Sequence, residues 1–129
     1  MVEKILIVEP FSQLRRKITG GIDQAVKTLD IGIQVCSTPS LVRAEALLDL
    51  GDISLLMTNL NLSDDGLEGL SLVNRALIPS PRAPRERICV YADKIPAPDV
   101  PAGVIQISIV KISTYFLQSF IRGLTINAN

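Results

Sequence analysis

The sequence contains no histidine and no tryptophan, only two cysteines, and no excess of either charge. Without histidine the side chain that titrates nearest neutral pH is missing, and so is the commonest zinc ligand. Cys36 and Cys89 form no Cys-x-x-Cys pair, so neither a structural zinc site nor any other metal site is expected. Each lies inside an apolar, strand-like run, which predicts buried, inert thiols in a reducing compartment. Lysine plus arginine and aspartate plus glutamate both number 13. A formal charge of zero gives no sign of a polyanionic partner, and no nucleic acid is expected. Arg82, Arg85 and Arg87 cluster between prolines, but Glu86 sits among them, and the segment reads as a solvated loop. No apolar stretch approaches the roughly 20 residues that span a bilayer. Met1-Val2-Glu3-Lys4 leads straight into a strand with no apolar leader, so the expectation is a cytoplasmic protein with no membrane partner.

What is present is aliphatic. Apolar residues make up 47% of the 129 and aromatic ones only 4%. That is enough for one domain, residues 1–129, with a core of Leu, Ile, Val and Ala and no need of disulfides. Lys4 to Glu9 (K-I-L-I-V-E) is a continuous apolar run ended by Pro10, the pattern of a strand covered on both faces. Ser12 can cap the helix that follows, with Phe11, Leu14, Ile18, Ala25, Val26 and Leu29 as its apolar stripe. Gly20-Gly21 is expected to end that helix early. Further strands are predicted at Ile31 to Cys36, Ile53 to Thr58, Ile88 to Tyr91 and Val104 to Val110. Between them lie a helix opened by Pro39-Ser40 and ended by Gly51, and one with Leu67, Leu70, Val73 and Leu77 inward. Ser113 caps a last helix burying Phe116, Leu117, Phe120, Ile121 and Leu124. The fourth crossover is different. Prolines at 96, 98 and 101 each cost a helix interior about 3 kcal/mol, so a loop or a shortened helix is expected there. Alternating strands and helices, each strand apolar throughout, predict an α/β fold: a flavodoxin-like, doubly wound, five-stranded parallel sheet of order 2-1-3-4-5.

Reacting groups in such a sheet gather at the carboxyl ends of the strands. Those ends carry Glu9, Asn59, Ala92 and Lys111. With K-I-L-I-V-E, N-L-N-L-S-D-D-G-L-E-G-L from Asn59 and V-K-I-S around Lys111, the chain resembles a response-regulator receiver domain along nearly its whole length. The resemblance implies a phosphoacceptor pocket, and the chain departs from it at four positions. Asn59 stands where the family carries the aspartate that accepts the phosphoryl group. Pro10 replaces the second member of the acidic pair that would hold magnesium, leaving Glu9. Ala92 replaces the hydroxyl residue expected after the fourth strand. Ser108 replaces the aromatic three positions before the lysine. Only Lys111 is retained. A neutral amide is a poor nucleophile and a weak ligand for a hard cation, and proline offers no side-chain oxygen.

Glu9, Pro10, Asn59, Ala92 and Lys111 are therefore read as a degenerate phosphoacceptor pocket, with no catalytic residue and no cofactor. Simpler readings stand beside this one. Lys111 can be an ammonium paired with Glu9, Glu9 can cap a helix, and Asp64 and Asp65 can be turn and cap residues. Ser63 and Thr58 have no neighbouring base to activate them.

The expected function is that of a phosphorylation-independent, receiver-like signalling module, not an enzyme, acting through signalling protein partners within two-component transduction or a phosphorelay. The proline-broken crossover would expose an apolar flank of the fourth and fifth strands, which a second copy could cover as a homodimer. The alternative is a flavodoxin-like domain binding a nucleotide or flavin, although Glu9-Pro10-Phe11-Ser12 is the wrong loop for an anion. An enzyme of another type would have only Glu9 and Lys111 for acid–base work.

Overall fold

The computed structural model describes residues 3–62, 67–77 and 88–127. The elements, in chain order, are β1 (Lys4–Val8), α1 (Ser12–Thr28), β2 (Gln34–Thr38), α2 (Leu41–Asp49), β3 (Ile53–Asn59), α3 (Leu67–Leu77), β4 (Ile88–Ala92), β5 (Ile105–Ser108) and α4 (Thr114–Asn127). A 3-10 turn, Ile109–Lys111, links β5 to α4. The strands form one parallel sheet of order β2-β1-β3-β4-β5. This is the flavodoxin-like arrangement that the alternating pattern predicts.

Side chains alternate across the sheet, so each strand supplies two cores. Ile5, Ile7, Leu55, Met57, Cys89 and Ile107 face α1 and α4. Leu6, Val8, Leu56, Val90 and Ala92 face α2 and α3. Burial of both faces explains why β1, β3 and β4 read as unbroken apolar runs.

Three local expectations need correction. First, α1 runs unbroken through Gly20 and Gly21. Gly21 is buried against α4, where an added Cβ would come within 2.6 Å of Leu117 Cδ1. The glycine lets the two helices approach, and packing outweighs its poor helix propensity. Second, Ser12 is the first helical residue rather than the cap. Phe11 holds the cap position without a side-chain bond and is 69% exposed, outside the apolar stripe. Third, the buried stripe of α3 is Leu72, Val73 and Ala76, while Leu77 is exposed. Other terminal signals hold. Ser40 accepts the Arg43 N–H at 3.3 Å, Gly51 follows α2 with φ 81°, and Ser113 accepts the Phe116 N–H at 3.1 Å. The strand ends differ slightly: β2 runs Gln34–Thr38, and β5 stops at Ser108 before the 3-10 turn.

Residues 93–104 contain no helix, as the three prolines require. Their path is fixed instead. The Ala97 N–H donates to Gln106 Oε1 at 2.8 Å, and Ile95, Ala97, Val100 and Val104 pack on the core shared with α2 and α3. The crossover itself thus covers the α2/α3-side part of the apolar flank expected to invite a second copy. On β4 and β5 only Ile105, at 36%, counts as an exposed large apolar residue among the described residues. No helix among the described residues is long and apolar enough to cross a membrane. The arginine-rich connector (Arg82, Arg85, Arg87) and Ser63, Asp64 and Asp65 lie outside the described residues.

Candidate functional site

Glu9 follows β1, Asn59 ends β3, and Tyr91 is the fourth residue of β4. Their odd-numbered positions place all three on the α1/α4 side of the sheet, continuing the rows of Ile5 and Ile7, Leu55 and Met57, and Cys89. Asn59 and Tyr91 are partners in the β3–β4 register. Strand geometry alone therefore brings three polar side chains into one layer at the carboxyl edge.

They bond to one another. The Glu9 side chain, wholly buried, accepts the Asn59 Nδ2 amide on Oε1 at 2.9 Å. The same oxygen accepts the Tyr91 hydroxyl at 2.8 Å. Oε2 accepts the Phe11 backbone N–H at 2.9 Å. Three donors on two oxygens is the pattern of an acceptor-only, ionised carboxylate. The Phe11 N–H belongs to the amino end of α1, where the helix dipole favours an anion. Arg15 adds positive charge nearby, its Nη1 donating to the Glu9 carbonyl at 2.9 Å. Asn59 is oriented by its other end, since Oδ1 accepts the Asn61 N–H at 2.9 Å. That bond fixes which face of the amide meets Glu9.

Burial, chiefly, and then the charge of Glu9 hold the Tyr91 hydroxyl well above the usual phenol range. Tyr91 therefore remains a protonated donor. Beneath it, burial pushes the Cys89 thiol up to about 12, which disfavours the reactive thiolate. Of the two thiols expected to be buried only Cys89 is; Cys36 is half-buried.

The five residues singled out in the sequence do not all meet. Glu9 and Asn59 are in direct contact, and Pro10 contributes only its carbonyl, which accepts Arg15 Nη1 at 3.5 Å. Ala92 lies on the opposite face, packed in the core under α2 and α3, and borders an open cleft with Leu60, Leu70, Asp93 and Asp99. Lys111 is exposed, and the expected ion pair with Glu9 does not form. The reason is geometric. The strand ends at Ser108, and the 3-10 turn carries the lysine outward into solvent. Glu9 does meet a helix amino end, in keeping with its reading as a cap. Among the described residues no group of three or more Cys, Asp or Glu is placed to hold a metal ion. Tyr91 is a member of this cluster that the sequence reading did not single out. Its signal was present: a hydroxyl inside the otherwise apolar run I-C-V-Y-A must find a buried acceptor.

No protein-family profile matches the sequence, and no curated protein sequence matches it. Solved structures do. The chain is similar to a signal receiver domain of a two-component signal-transduction histidine kinase from Clostridium thermocellum, with TM-score 0.69 and 15% identity over 95% of this chain and 97% of that one. It is similar to a fragment named as a lipoprotein from Peptoclostridium difficile 630, with TM-score 0.62 and 12% identity over 95% and 98% of the two chains. It also matches the anti-anti-sigma factor PhyR from Bartonella quintana, with TM-score 0.54 and 15% identity over 99% of this chain but 51% of PhyR. At such identities the likeness is one of fold, and the fold is that of a receiver domain.

Proposed function

We propose that this protein is a receiver-like signalling module whose phosphoacceptor pocket no longer takes up a phosphoryl group, and that it signals by binding other proteins. One observation carries the reading: the 2.9 Å bond from the Asn59 amide to the Glu9 carboxylate. A carboxylate at residue 59 would set two anions about 3 Å apart, repelling by roughly 5 kcal/mol at an effective dielectric of 20. That is comparable to the whole stability of a small domain, so such a pair calls for a cation between its members. The amide turns the repulsion into a donor–acceptor bond. Tyr91 and the Phe11 N–H supply the remaining positive ends, and the cage is satisfied without magnesium.

Receiver-type phosphoryl transfer uses a carboxylate nucleophile and a metal to spread the charge. Asn59 has its Oδ1 committed to Asn61 and its Nδ2 to Glu9, and neither atom attacks phosphorus. The protein is on this reading no enzyme, and a change of state would come from a partner rather than from its own modification. The likeness in fold to a signal receiver domain supports the signalling role. The reading of a nucleotide or flavin binder gains nothing from the site. The N–H at the start of α1 that would meet a phosphate is occupied by the protein's own carboxylate.

Incubation with acetyl phosphate and magnesium, followed by intact-mass analysis, tests the proposal. The mass is expected to stay unchanged. A stable acyl-phosphate adduct on residue 59 or a neighbour would overturn it.

A further inference from the structure

Two stretches of this chain hold no acidic residue, 10–22 and 100–129. They are far apart in sequence, and the fold joins them. α1 packs on α4 where Gly21 meets Leu117, and both helices start from the carboxyl edge of the same parallel sheet. The first turns of α1, the 3-10 turn and the start of α4 therefore share one end of the molecule. Arg16, Lys17 and Lys111 are exposed there, and none is in an ion pair among the described residues. The acidic groups Glu45, Asp49, Glu68, Asp93 and Asp99 belong to α2, α3 and the β4–β5 crossover. A formal charge of zero thus conceals an uneven distribution: on the α1/α4 side of this end the exposed charges among the described residues are cationic, Glu9 is buried, and Glu68 and Asp93 lie on the α2/α3 side of the same edge.

The same end carries large apolar side chains in water. Val110 is 85% exposed, Tyr115 80% and Phe11 69%. At such exposure these side chains are protrusions, not the walls of a groove. A folded protein partner would need pockets shaped to receive them, whereas a lipid interface admits protrusions without shape complementarity. Aromatic rings and an aliphatic tip flanked by cations are the chemistry of the headgroup boundary of an anionic leaflet.

We propose that this end of the α1/α4 layer docks reversibly on an anionic lipid bilayer. Phe11, Val110 and Tyr115 enter the interface, and Arg16, Lys17 and Lys111 lie at the level of the headgroups. The contact is peripheral and does not depend on the state of the Glu9 cage.

Flotation of the full chain with lipid vesicles tests this. With phosphatidylcholine vesicles containing roughly 30% phosphatidylserine the protein is expected to float, and with phosphatidylcholine alone it is not. Salt should weaken the binding. Val110→Asp and Lys111→Glu should each reduce it by about tenfold or more. Leu50→Asp, at an exposed position (63%) past the far end of α2 and so on the opposite edge of the sheet, should leave it unchanged. All three sites are exposed, and circular dichroism checks that each variant folds. Absence of flotation with either vesicle, or binding unaffected by Val110→Asp, would overturn the proposal. So would binding to polyglutamate or DNA without binding to vesicles, which would assign this end to an acidic macromolecule.

Discussion

The Tyr91 hydroxyl, 2.8 Å from Glu9 Oε1, shares that oxygen with the Asn59 amide at 2.9 Å. Side chains from three adjacent strands are thereby tied to one buried charge, at the place where a receiver-like sheet would do its chemistry. Because the carboxylate is wholly buried, each donor matters more than its own bond. Removing one leaves part of a charge without a partner, at about 1–3 kcal/mol. Removing Glu9 itself, as in Glu9→Ala, strands three donors and should cost at least about 3 kcal/mol.

Replacing the amide with an acid should make the fold dependent on metal. Asn59→Asp is expected to lower stability in the presence of a chelator by on the order of 3–5 kcal/mol. Millimolar magnesium should recover part of the loss. The melting temperature of the wild-type protein should not respond to magnesium. Thermal melts of both proteins, with and without the ion, make the comparison. An Asn59→Asp variant as stable as the parent in chelator would contradict the charge argument.

Alkaline pH should weaken the fold through two buried acids on one strand. Folding raises the Cys89 thiol to about 12 and moves the Tyr91 phenol upward as well, from ordinary values of 9.0 and 10.0. The unfolded chain then releases protons more readily than the folded one. Stability from these groups is complete below pH 9 and is lost progressively as pH rises toward about 12. Denaturant midpoints measured from pH 8 upward should fall across that window. Tyr91→Phe should cost about 1–2 kcal/mol at neutral pH through the lost bond to Glu9, and should flatten the alkaline slope.

Three glycines should respond differently to alanine. Gly20 is exposed in mid-helix with open space where a Cβ would go, so Gly20→Ala should stabilise by about 0.5–1 kcal/mol. At Gly69 the added methyl would fall on the backbone carbonyl of Leu60, which cannot move aside, and about 1–3 kcal/mol should be lost. Gly21→Ala falls between these, since only the end of the Leu117 side chain opposes it. Chemical denaturation of the three variants gives the order.

Lys111, the one pocket residue that the receiver resemblance retains, should matter little to stability. It is exposed and forms no bond to Glu9, so Lys111→Ala is expected to shift the unfolding free energy by no more than about 0.5 kcal/mol. A loss several times larger would mean that the lysine does reach the buried carboxylate.

Much of this protein is determined by sequence alone. Unbroken apolar strands separated by amphipathic helices dictate a parallel sheet covered on both faces, and three prolines keep a helix out of the fourth crossover. Ser40, Gly51 and Ser113 mark helix ends through bonds between near neighbours, which need no distant partner. The absence of an acid at residue 59 is equally plain in the letters. Only the tertiary structure decided the rest, because it turns on contacts between residues far apart in the chain. Gly21 reads as a helix breaker until Leu117 lies against it. Tyr91 reads as core until the β3–β4 register sets it beside Asn59 and above Glu9. Lys111 keeps its place in the sequence, but a 3-10 turn after β5 carries its charge into solvent, and the bonds to the buried carboxylate fall to an amide, a phenol and a backbone N–H.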